Sequence, residues 1–158
     1  MTNQRLLLGA GQADRAVEFR SPAPLMASGF LHGATLDVSV ILRSQAEAPR
    51  PVVAGYLYHL LDRSGREHLS FHWHPSGARS RITFPHLHVS AALRNSTPGG
   101  ELDVLPLDKI HIPTGHLTLA NIVRLLVVEL DVTPRVQGWQ ERLDEADRTP
   151  PAFLAAPA

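Results

Sequence analysis

The feature that most constrains the fold of this chain is an alternation running from Glu67 to Ser90, EHLSFHWHPSGARSRITFPHLHVS. Successive side chains of a strand point to opposite faces. With that period, His68, Ser70, His72 and His74 share one face, and Leu69, Phe71 and Trp73 share the other. The second half repeats the pattern: Phe84, His86, His88 and Ser90 on one face, Leu87, Val89 and Ala91 opposite. Two strands of this kind bury their apolar sides and leave imidazoles together on the other side. Five of the nine histidines fall in this stretch, where Thr, Lys, Arg and Glu would be the usual occupants of an outward face.

Register follows from parity. Opposed residues of an antiparallel pair share a face, so the two apolar sides align only when paired residue numbers have an even sum. A sum of 156 sets His68 against His88 and Ser70 against His86; a sum of 160 sets His72 against His88 and His74 against His86. Either way imidazoles from both strands meet, with opposed Cβ atoms about 5 Å apart.

The rest of the chain supplies the sheet and its cover. Ala34 to Arg43 alternates, with Leu36, Val38, Val40 and Leu42 on one side. Val52 to Asp62 follows, with Tyr56 and Tyr58 on one face as packing residues. Arg63-Ser64-Gly65 turns the chain into the histidine strands. Ile110 to Gly115 reads as a short edge strand. Thr118 is placed to cap a helix from Leu119 to about Leu130 that is apolar nearly all round, and so destined for the sheet's apolar face. Its Arg124 reads as a surface residue, and a shorter helix follows with Val136, Trp139 and Leu143 on one side. The expected fold is therefore α+β: an antiparallel meander of about four strands, with C-terminal helices packed on its apolar face. In this reading residues 1–30 form an irregular arm, 31–147 a single domain and 148–158 a flexible tail.

Composition narrows the function. Fifteen basic residues balance fifteen acidic ones, so no global basic field draws in nucleic acid. Lacking cysteine, the chain has no disulfide, thiolate metal site or thiol nucleophile. Gly9-Ala10-Gly11 runs into Asp14 where a dinucleotide-binding loop needs a third glycine. Leu6-Leu7-Leu8 is too short for a signal peptide or a membrane span, which makes a cytoplasmic protein without a membrane partner the expectation.

Two chemistries suit the histidine face. Metal-independent cleavage of RNA needs a base, an acid and a cation for the phosphorane. His86 and His88, assisted by His72 and His74, with Arg81 as the cation (or Arg79 or Arg94), would supply that set. Alternatively His72, His86 and His88 form a three-nitrogen zinc site with a fourth position open, and Asp37 or Glu67 as the outer partner. The cofactor is then zinc in one reading and none in the other. A third reading is a non-enzymatic module that binds a protein partner through a sheet edge or the Trp139 helix.

Tyr56-Leu57-Tyr58, Asp62-Arg63-Ser64-Gly65-Arg66 and Thr83-Phe84-Pro85-His86-Leu87-His88-Val89 resemble the TumE-like toxins of bacterial toxin–antitoxin pairs. That family shows a Y-x-Y strand, a glycine turn, a D-N-x-x-H-H type segment and an F-P-H-x-H strand, then a loop and an apolar helix. The resemblance covers roughly 52–130, and Phe71-His72-Trp73-His74-Pro75 stands where the family has its D-N segment. It implies a toxin acting on RNA or the translation machinery, neutralised by a helix-turn-helix antitoxin. A homodimer is a further partner state considered.

Overall fold

The computed structural model describes residues 6–8, 14–46, 49–75, 82–90 and 110–155. Its strands are β1 (Leu6–Leu8), β2 (Asp14–Phe19), β3 (Ala23–Pro24), β4 (Thr35–Arg43), β5 (Val52–Leu61), β6 (Glu67–Trp73), β7 (His86–Val89) and β8 (Ile112–Pro113). Helices α1 (Leu119–Val128) and α2 (Trp139–Arg148) follow. The strands form one sheet in the order β1-β2-β4-β5-β6-β7-β8, with β3 also pairing with β4, and every pair is antiparallel. The α+β class expected from the sequence is the observed one, but among the described residues the sheet has eight strands where about four were expected.

The alternating stretches set the two faces. Leu36, Val38 and Val40 of β4 stand opposite Leu60, Tyr58 and Tyr56 of β5, which stand opposite Leu69, Phe71 and Trp73 of β6. Ile122 and Leu126 of α1, with Leu25, Leu31 and Val132, close over this face as the buried core. Tyr56 and Tyr58 stack at 5.0 Å. Their hydroxyls hold the approach to α1: Leu117 N–H donates to Tyr56 Oη at 3.2 Å, and Tyr58 O–H donates to the Leu117 carbonyl at 3.4 Å. Thr118 then caps α1 reciprocally with Asn121, satisfying backbone donors that a helix start leaves unpaired.

The structure departs from several expectations. Among the described residues of the N-terminal arm, expected to be irregular, β1, β2 and β3 extend the sheet beyond β4. β2 is poor in large apolar residues and is held partly by charge, with Asp14 accepting from Arg43 at 2.7 and 2.8 Å in a fork-to-fork pair. α1 ends at Val128, and only Ile122 and Leu126 are fully buried, because the helix lies against one surface and leaves its far side, including Val128, outside. Arg124 is half-exposed and bridges the helices, donating to Asp144 at 3.0 Å and Asp147 at 2.8 Å. Val136 precedes α2 and is exposed, so the expected stripe with Trp139 and Leu143 is not formed.

In the C-terminal segment, expected as a loose tail from residue 148, Ala152 to Leu154 dock on the sheet edge and Phe153 and Leu154 pack on the core. β6 stops at Trp73, opposite Tyr56, leaving the Val53 edge of β5 unpaired. Val53 N–H donates to the Ala152 carbonyl and Leu154 N–H to the Val53 carbonyl, both at 2.8 Å, making a parallel bridge. Phe153 then enters the aromatic core, 6.0 Å from Trp73 and stacked at 4.5 Å on His116. Truncating Phe153 to Ala should lower unfolding stability by about 2 kcal/mol, below the range for a fully buried ring because Phe153 is only partly buried. The urea midpoint reads this directly, and an unshifted midpoint would show that the segment rests on the sheet without stabilising it.

Candidate metal centre

The face opposite the core carries the histidines. β6 and β7 pair with Leu69 opposite Val89, Ser70 opposite His88, Phe71 opposite Leu87 and His72 opposite His86. The paired numbers sum to 158, an even register as parity requires, yet it is neither 156 nor 160. The core supplies the reason. Trp73 Nε1–H donates to the Thr83 carbonyl at 2.9 Å and so fixes where the chain enters β7. A slip by two residues would carry that carbonyl about 6.7 Å away.

In this register five imidazoles gather. His72 lies with its ring centre 4.0 Å from His86, 4.6 Å from His88 and 5.7 Å from His74. His86 and His88 are 5.0 Å apart. The ring of His111, just ahead of β8, stands 4.8 Å from His86 and 4.3 Å from His88. His72, His86 and His88 each offer a nitrogen within 4.8 Å of the others. His74 sits at the margin, over Gly55, where a Cβ would meet the Trp73 carbonyl oxygen at 3.0 Å and His74 Nδ1 at 3.6 Å. Glycine there leaves room for both.

His86 is the most buried member of the cluster. It is 3% exposed, and its Nδ1 lies 2.8 Å from the Phe84 carbonyl oxygen. A carbonyl only accepts, so Nδ1 carries the proton and Nε2 carries the lone pair. Nε2 is buried without any hydrogen-bond partner. A buried acceptor left bare costs about 1–3 kcal/mol. A backbone carbonyl that fixes the tautomer while the other nitrogen faces a cluster of imidazoles is the arrangement of a metal-ligating histidine. Around a tetrahedral ion with Zn–N near 2.0–2.1 Å, ligand nitrogens stand about 3.4 Å apart. Closing from 4.8 Å needs shifts on the order of 1 Å, within reach of small side-chain rotations.

Electrostatics hold His72, His74 and His111 towards the neutral form. Burial, reinforced by the facing His86, His88, His74 and His59, pushes His72 down to about 3 from the ordinary 6.5. Burial and His86 likewise lower His74 and His111. Neutral imidazoles are the form that binds a metal.

The remaining residues singled out from the sequence lie elsewhere or do other work. Arg81 lies outside the described residues, as do Arg79 and Arg94. Glu67, considered as the outer partner of a metal ligand, is instead 3.5 Å from His59, and Asp37 accepts from the Val38 N–H at 3.0 Å. The outer partner of His86 is the Phe84 carbonyl. Tyr56 and Tyr58 are core residues, and burial raises both phenols above their ordinary value. His116 belongs to the core side, edge-on to Trp73 at 4.3 Å. The member that sequence reasoning missed is His111. Its signal was the edge strand itself: a histidine entering a strand beside His86-x-His88 needs only the right parity to join them.

The chain matches no protein-family model, no curated protein and no solved structure. What fold and site define is an antiparallel-sheet α+β protein with a histidine cluster on the face away from its core. No helix among the described residues is long and apolar enough to cross a membrane.

The low value of His72 has a stability consequence. Below pH 6.5 the unfolded chain takes up a proton there that the folded chain refuses until about 3. Stability present above 6.5 is therefore lost as the pH falls towards 3. In metal-free protein the urea midpoint should drop between about pH 7 and 5, where histidine is the ordinary titrating side chain. A His72→Gln variant should show a shallower drop, and equal slopes would contradict this assignment.

Proposed function

We propose that this protein binds a transition-metal ion of the zinc class through His72, His86 and His88. The observation that carries the reading is the bare, buried Nε2 of His86, with its tautomer fixed by the Phe84 carbonyl and two imidazoles beside it. An all-nitrogen donor set favours zinc, copper, nickel or cobalt over magnesium and calcium, which take oxygen ligands.

The reading that follows from the toxin resemblance is RNA cleavage by the imidazoles alone. It needs one of them protonated to serve as the acid. His72 holds its proton only below about 3, and burial lowers His74 as well. Metal binding takes His72 and His74 in the neutral form that burial favours, and that supports it as the better reading.

Elemental analysis of untagged protein, loaded with zinc and dialysed, should find one ion per chain. Zinc at a hundredfold excess over its Kd should stabilise the fold by about 2.7 kcal/mol, read as a rise in Tm. Magnesium and calcium should leave Tm unchanged. His86→Ala should abolish the zinc effect. Sub-stoichiometric zinc, or equal shifts with magnesium, would defeat the proposal.

A further inference from the structure

Three protein nitrogens leave one position on a tetrahedral ion, and what fills it decides whether the ion is held or exposed to solvent. We infer that His111 fills it, closing the centre as a four-imidazole site that ties the edge strand β8 to the sheet. This rests on the three-histidine centre proposed above.

The geometry comes from the β7–β8 register. His86 pairs with Pro113 and Leu87 with Ile112, so the same register brings His111 across from His88. Parity then places His111 on the histidine face and Ile112 on the other. Thr114 N–H donates to the Pro85 carbonyl at 2.8 Å, which anchors the far end of β8 against the start of β7. The ring of His111 stands 4.3 Å from His88 and 4.8 Å from His86, within the 4.0 to 5.0 Å spacing of the triad. It makes no ring contact with His72 and lies outside the group whose nitrogens fall within 4.8 Å of one another, so its side chain must swing towards His72 to complete the set. Ring centres around a tetrahedral ion stand about 5 Å apart, given Zn–N near 2.0–2.1 Å. His74 touches one member of the triad, His72 at 5.7 Å, whereas His111 touches two.

A closed centre has different chemistry from an open one. With no water on the ion, there is no position at which to lower a water's pKa or to polarise a substrate oxygen. The ion instead joins three neighbouring strands, β6, β7 and the start of β8, whose ladder at β8 is only two residues long. The centre therefore holds metal and stiffens the sheet edge, which is the behaviour of a structural or metal-responsive site.

Cobalt(II) provides the test, because its visible bands report coordination and azide adds only to an ion with an open or water-occupied position. Wild-type protein with one equivalent of Co(II) should give a tetrahedral spectrum unmoved by azide. His111→Ala should bind Co(II) at least about tenfold more weakly, since even outer-shell losses cost that much, and its spectrum should shift with azide. His111→Gln should behave as the alanine variant does, which guards against a packing defect. Co(II) bound by wild type with an azide-sensitive spectrum, or equal affinity in the two proteins, would overturn the role of His111 and leave the three-histidine centre standing. Failure of wild type to bind Co(II) at all would remove both.

Discussion

Trp73 is the residue on which both faces of the sheet depend. Its ring is buried among Tyr56, Phe153 and His116, while its indole N–H holds the Thr83 carbonyl. Strand geometry is strict, so a tryptophan driven inward forces its neighbours His72 and His74 outward. The Thr83 contact then dictates which residue of β7 meets which residue of β6. The hydrophobic effect thus selects the face, and one hydrogen bond selects the register. The position of His72 over His86 is a by-product of packing on the opposite side.

The cluster that results would be costly if charged. Five imidazoles within a few ångströms repel one another once protonated, and partial burial adds to the penalty. The depressed value of His72 expresses both effects. The glycine at position 55 and the Phe84 carbonyl show the same site from the backbone side: one leaves room for His74, the other orients His86.

Much of this was legible in the sequence, and the parts that were not have physical reasons. Alternation disclosed β4 to β7 and the common face of His72, His74, His86 and His88, because a half-buried strand must alternate. Thr118 announced the start of α1 because a cap is a local device. β2 stayed hidden since its pairing rests on Val17 against Val40 and on the Asp14–Arg43 ion pair, which only the fold brings together. Phe153 stayed hidden for a related reason: the open edge it fills exists only once β6 has stopped short of Val53. The choice of 158 over 156 or 160 was beyond parity, because all three sums match apolar with apolar residues; a single long-range contact from Trp73 decides it.

Among the described residues the sheet ends at β8 on a proline. Pro113 has no N–H, and a strand of two residues offers almost no ladder to a newcomer. Growth of the sheet by another chain is thereby discouraged at the very edge where His111 lies. The rim of the histidine face can stay open to small ions while being a poor template for strand-to-strand association.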